Sequence, residues 1–291
     1  MTSDLPTRPP FASAPRTPVP LPDPLAEVLR SCDVDPAGAT AVWRNGLGGL
    51  TFRVEGHHLK WSPDLAGVDL DDEAQRLVWA GRWTPVPRVV RHGRVEAVPG
   101  ITLPAPAASL PGSDGGTWLL TETIPGRSAV EPRWSAAPDV AARAVGAGLR
   151  ALHDALPLLD CPYSWAAPQR AANARDRIDA GDGPDSWHPE HRDLTPADVL
   201  ARLADVPDPD LVVCHGDACA PNTLLHDDGS WAAHVDLGAL GVADRWADLA
   251  VAAWSTEWNY GPGYEHLVYD AYGIAPDPAK IAYYRLLWDV S

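Results

Sequence analysis

Two short apolar runs, each ending in an aspartate-bearing polar loop, constrain this chain more than any other feature. The first, Leu211-Val212-Val213-Cys214, runs into His215-Gly216-Asp217-Ala218-Cys219-Ala220-Pro221-Asn222. The second, Ala232-Ala233-His234-Val235, runs into Asp236-Leu237-Gly238. Runs of this length and apolarity predict strands. Two carboxylates 19 residues apart (236 minus 217) are then carried at strand ends, and glycine lets backbone approach closely. Asp217 and Asn222 stand five apart. The carboxylate of such a pair can accept the proton of an attacking hydroxyl, and the amide oxygen can bind magnesium, which prefers hard oxygen ligands. With Asp236 as a second metal ligand the set suits phosphoryl transfer, where catalysis is mostly positioning and neutralisation of charge. Either run alone also fits a strand end closed by an Asx turn. Their order and spacing are what point to the chemistry.

The rest of the chain divides by texture. Residues 1–24 carry prolines at 6, 9, 10, 15, 18, 20, 22 and 24 with few large apolar groups, the composition of a disordered or extended tail. Apolar runs at 41–44, 50–54 and 59–61, separated by glycine turns, predict antiparallel strands. Residues 70–83 predict a helix, with Asp71, Asp72 and Glu73 in the first turn, where carboxylates suit the dipole. Short strands are expected at 89–90 and 95–98, a flexible loop at 99–116, and a buried strand at 117–124 stopped by Pro125-Gly126. From residue 138 to 156 Val140, Ala144, Val145, Leu149, Leu152 and Leu156 fall on one helical stripe. The implied organisation is the tail, a strand-rich N-terminal lobe at 25–120, a hinge at 121–126 and a helix-rich lobe at 127–291.

Thirty-nine acidic against 23 basic side chains give a net charge of −16, which repels a phosphate backbone and argues against a nucleic-acid partner. The same charge would draw cationic ligands, although acidity also serves solubility alone. No apolar run reaches the roughly 18 residues that span a bilayer, and no charged segment precedes an apolar one at the start, so a cytoplasmic protein without a membrane partner is expected. Cys32, Cys161, Cys214 and Cys219 make no paired CxxC spacing, and reduced thiols are the expectation.

The stretches HGDACAPNTLL and HVDLGALGVADRWADLA resemble the aminoglycoside phosphotransferases, particularly their 3'-phosphotransferase branch. The resemblance extends over LDDEAQRL and PVPRV, similar to that family's αC region, and LLTETIPG, similar to its hinge. It implies a two-lobed protein-kinase-like α+β fold and an ATP- or GTP-dependent, magnesium-requiring transfer to a hydroxyl of a cationic antibiotic. Asp217 resembles the catalytic base, Asn222 and Asp236 the magnesium ligands, and His215 a residue supporting the loop. Lys60 would pair the donor's α- and β-phosphates, held in place by Glu73, and Gly46 and Gly48 would belong to the loop covering the nucleotide. Backbone groups of Thr121 and Thr123 resemble those that bind adenine. Asp248 resembles an aspartate bracing the catalytic loop. Taken singly, a strand lysine, a helix-start glutamate and a glycine hairpin are ordinary surface features.

The acceptor region departs from the family. After Asp248 come Trp254, Glu257, Trp258 and Tyr260, with one acid and three aromatics; the chain ends Trp288-Asp289-Val290-Ser291, and Ala239 replaces an arginine. Glu257, Trp258 and Asp289 are the candidates for acceptor binding, while Trp and Tyr at helical spacing also suit a core. Two rivals stay open: a kinase of another antibiotic, nucleoside or sugar metabolite, and a nucleotide-binding pseudokinase.

Overall fold

The structure, a computed structural model, describes residues 12–15, 17–46, 48–64, 69–98 and 115–291. Most of the proline-rich stretch and of the 99–116 loop therefore lies outside the described residues. The chain divides into two compact units, Met1–Gly81 with Pro87–Ile124, and Arg82–Val86 with Pro125–Ser291.

The first unit is built on an antiparallel sheet. Its elements are β1 (Ala12–Ser13), α1 (Asp23–Ser31), β2 (Thr40–Asn45), β3 (Leu50–Val54), β4 (His57–Pro63), α2 (Leu70–Ala80), β5 (Val89–Val95) and β6 (Gly116–Glu122). The strand order is β1-β2-β3-β4-β6-β5. In β3 Leu50, Phe52 and Val54 are buried while Arg53 is exposed, the period of two that a half-buried strand requires. Helix α1 covers this face: Leu25, Val28 and Leu29 share one cluster with Phe52, Leu59, Trp61, Trp118 and Leu120. This helix starts inside the stretch expected to be an extended tail. Pro24 sits in its first turn, where the missing N–H leaves no bond unmade, so the prolines begin a helix as well as forbid one. Helix α2 is capped by Asp69, whose side chain accepts the Asp71 N–H at 2.9 Å. It stops at Ala80 with Gly81 as its C-cap, shorter than the span to Trp83 that its apolar pattern predicts. One strand, β5, replaces the two short runs expected beyond it, with a register irregularity near its start.

The second unit is mostly helical, as the sequence predicts. After β7 (Arg127–Ser128) and α3 (Pro132–Ser135) come α4 (Pro138–Ala155), α5 (Ala167–Asp179) and α6 (Pro196–Leu203). Four short strands follow, β8 (Leu211–Cys214), β9 (Thr223–Leu225), β10 (Trp231–His234) and β11 (Gly241–Asp244), then α7 (Trp246–Tyr260), α8 (Glu265–Tyr272) and α9 (Pro278–Val290). β8 pairs with β11, and β9 lies between β10 and β7. Helix α7 is buried on every side from Trp246 to Thr256, which is why its sequence shows little polar face. Helices α4 and α8 pack closely at Gly146, where an added Cβ would stand 2.2 Å from the Val268 carbonyl oxygen.

That contact gives a test of the packing. Gly146→Ala should lower unfolding stability by about 1–3 kcal/mol despite the better helix propensity of alanine, read as a lower urea midpoint at unchanged slope.

Candidate active site

The ends of β8 and β10 carry the two aspartates, and the backbone laces them together. The Val235 N–H donates to the Asn222 carbonyl at 3.0 Å. The His215 Nε2–H donates to the Val235 carbonyl at 2.9 Å, so His215 ties the first loop to the residue before Asp236, the supporting role expected of it. Gly216 takes φ +84, and a Cβ there would lie 2.2 Å from the Ala239 carbonyl oxygen, so only glycine fits this turn. Asp236 also has a positive φ, +63. For a non-glycine residue that conformation costs roughly 1–2 kcal/mol, the kind of local strain found where a side chain must be aimed.

Beneath the loop lies Asp248, in the first turn of α7 and without exposed surface. One oxygen accepts the Gly216 N–H at 2.8 Å; the other accepts the His215 N–H at 2.6 Å and His153 Nε2–H at 2.9 Å. Burial alone would raise this carboxyl, but the bond and charge of His153 with the charge of His215 and the backbone donors hold it below its ordinary range. The other face of His153 meets the Tyr272 hydroxyl at 2.8 Å, and that hydroxyl also accepts from Arg245 at 2.9 Å. Cys214 lies near His153 and Asp248, but every polar atom of Asp248 is already engaged, and this cluster is a brace.

Asp217 is held from several sides. Its Oδ1 accepts the Trp288 Nε1–H at 3.3 Å and the Cys219 thiol at 3.4 Å. The Asn222 Nδ2 donates to the Asp217 carbonyl at 2.9 Å and to its Oδ2 at 3.3 Å. Burial and then the negative charge of Asp236 push the Asp217 carboxyl above its ordinary range. Each carboxylate disfavours ionisation of the other, a cost that a bound cation would relieve. The amide nitrogen of Asn222 is spent on Asp217, which leaves its oxygen for a hard cation, so the donor set fits magnesium. Burial pushes the Cys219 thiol well up, and the charge of Asp217 adds to this.

In the first unit, the Lys60 ammonium meets the Glu73 carboxylate at 2.6 Å, and Glu73 is buried although it stands near the start of α2. Lys60 is fixed in the sheet by its pairing with Thr51 and Leu119. Gly46 and Gly48 lie in the β2–β3 turn, which Asn45 closes by accepting the Gly49 N–H on its side chain at 2.7 Å. Thr121 lies within β6 between β4 and β5. The Thr123 N–H donates to the Gly56 carbonyl at 2.8 Å, so a base would have to be met by its carbonyl oxygen.

The acceptor candidates separate. Asp289 is not available to an ammonium ligand: its buried carboxylate accepts the His188 N–H at 2.8 and 3.1 Å and pairs with His191 Nδ1 at 2.8 Å, joining α9 to the segment before α6. Glu257 and Trp258 are exposed at the end of α7. Sequence reasoning missed Trp288, because a lone tryptophan in a terminal helix carries no pattern. It also missed Arg170, which packs 4.8 Å over the Trp165 ring and feels the charge of Asp217.

An α+β fold bearing an Asp–Asn loop beside a second strand-end aspartate defines the kinase-like class of phosphotransferases. The phosphotransferase enzyme family profile matches residues 37–284, and the chain belongs to that family. Among curated proteins it is 36% identical over 238 residues to an aminoglycoside 3'-phosphotransferase of Streptomyces fradiae, covering 78% of this chain and 81% of that protein. It is 31% identical to the streptomycin 3''-kinase of Streptomyces griseus, covering 84% and 89%. Among solved structures, the aminoglycoside phosphotransferase APH(3'')-Id of Streptomyces rimosus, in complex with ADP and streptomycin, superposes with a TM-score of 0.68 at 29% identity, over 92% of this chain and 98% of that one. Among the described residues no helix is long and apolar enough to cross a membrane.

A buried histidine in this region sets a pH dependence. Burial, reinforced by the neighbouring His215, pushes His234 down to about 3. Its folded value lies below its unfolded one, so the unfolded chain takes up the proton first and stability falls as pH drops below about 6.5. The unfolding free energy should be about 2 kcal/mol smaller at pH 5 than at pH 7 from this group, and a His234→Leu variant should lose that share of the slope in urea titrations at the two pH values.

Proposed function

We propose that the chain transfers the γ-phosphoryl group of ATP or GTP to a hydroxyl of an aminoglycoside antibiotic, and that it confers resistance by doing so. The observation that carries this reading is the Asp217–Asn222 pair laced to Asp236 and braced by Asp248. The named substrates of relatives 31–36% identical support the acceptor class.

In this reading Asp217 orients the attacking hydroxyl and takes its proton. The loop around it leaves the carboxylate half-buried and holds it by bonds from Trp288, Cys219 and Asn222. Asn222 and Asp236 would hold magnesium, which neutralises phosphate charge when bound. In the first unit Lys60, kept in place by Glu73, would meet the donor's phosphates, with Gly46 and Gly48 offering backbone N–H groups and the backbone at Thr121 and Thr123 meeting the base. Glu257 and Trp258 would meet the acceptor, whereas Asp289 serves the architecture. A cytoplasmic location follows from the donor nucleotide.

The names of these two relatives give different positions, 3' and 3'', so the second reading concerns which drug and which hydroxyl is used. Purified protein with magnesium and ATP or GTP should show drug-dependent nucleotide turnover on a panel of kanamycin, neomycin and streptomycin. Asp217→Asn should lower kcat by about 10³-fold or more while nucleotide affinity stays within about twofold. Turnover restricted to non-aminoglycoside hydroxyls would sink the acceptor class, and tight nucleotide binding with no turnover of any acceptor would leave a pseudokinase.

A further inference from the structure

Helix α7 is buried through Thr256 and then turns a large aromatic outward. Trp258 keeps 39% of its surface exposed, although covering an indole stabilises a fold by about 2–3 kcal/mol. Its ring stacks on Trp288 of α9 at 5.6 Å and 28°, and tilts against the buried Trp254 at 4.8 Å. His188 lies against the same ring at 5.8 Å. Trp288 is the residue whose N–H reaches Asp217. A continuous aromatic surface therefore runs from open solvent to the proposed base, all within the second unit, and ordinary core packing does not require its outer ring to be bare.

Chemistry narrows what such a surface takes. An indole face accepts the C–H side of a saturated ring, and its quadrupole attracts an ammonium group at about 0.5–2 kcal/mol. Glu257 adjoins Trp258 in the chain, while Asp289 is consumed by His188 and His191. The chemistry on offer to a cationic sugar here is aromatic faces with one neighbouring acid, Glu257.

We propose that Trp258 and Trp288 form the acceptor platform of this enzyme: an aminosugar ring lies on the Trp258 face, and Trp288 sets its distance from Asp217. Trp258 is the specificity-determining residue and Trp288 a positioning residue. The inference rests on the function proposed above. In the step it serves, the acceptor hydroxyl oxygen bonds to the γ-phosphorus as the bond to the β–γ bridging oxygen breaks. The nucleoside diphosphate leaves, and the hydroxyl proton passes to the Asp217 carboxylate.

The test is steady-state kinetics on the full chain with the acceptor that the wild type turns over fastest. Trp258→Ala should raise acceptor KM about tenfold while nucleotide KM stays within about twofold, and Trp258→Phe should recover most of the loss. Trp288→Phe keeps the stacked ring but removes the N–H, and should lower kcat about tenfold with acceptor KM within about threefold. If Trp258→Ala does not fold, Trp258→Leu carries the same expectation. An acceptor KM unchanged in the Trp258 variant, or a wild-type kcat in Trp288→Phe, overturns the platform while leaving the kinase intact. A folded wild-type protein inert toward every acceptor overturns the underlying function and the platform with it.

Discussion

The loop that carries Asp217 and Asn222 hangs on one buried carboxylate. Asp248 takes the N–H groups of His215 and Gly216, which the sharp turn at Gly216 would otherwise leave unsatisfied in a dry interior. A buried donor without a partner costs about 1–3 kcal/mol, and a buried carboxylate without donors costs more, so each makes the other tolerable. His153, Tyr272 and Arg245 extend the arrangement to α4 and α8. The loop is thus gripped by helices rather than by its own short strands, since β8 and β11 pair over only four residues.

Such support lets the site hold groups that repel each other. Asp217 and Asp236 are both acidic, and Asp236 occupies a backbone conformation that an aspartate seldom adopts. Neither would persist on a free loop. His215 closes the arrangement by bridging to Val235, the residue before Asp236, and so ties the two loops together. In the first unit Lys60 and Glu73 solve a similar problem, a buried acid made stable by a cation fixed within a sheet.

Much of this was legible in the sequence because the decisive residues are local. The two strand-end motifs, the acidic start of α2 and the apolar stripe of α4 are patterns within a dozen or so residues, and the structure places an element at each. The pairing of Lys60 with Glu73 was also anticipated, from the order of elements in the family. Helix α1 was hidden by the prolines around it, whose effect depends on whether they fall in a first turn. Asp289 was misread because an acidic residue looks the same whether it faces solvent or caps a buried histidine. Trp288 bonds to Asp217, and Arg170 feels its charge, only through the tertiary packing of α9 and α5, which no periodicity records.

The thiol of Cys219 sits against the Asp217 carboxylate as a donor, and its acidity is suppressed by burial and by that same negative charge. Cys214 behind it is suppressed likewise, burial again leading. Nucleophilic attack by cysteine requires the thiolate. Little thiolate is then present at either sulfur near neutral pH, which leaves both weak nucleophiles although Cys219 is only half-buried. A warhead-bearing inhibitor directed at Cys219 would meet a protonated thiol donating a hydrogen bond in place of a ready nucleophile.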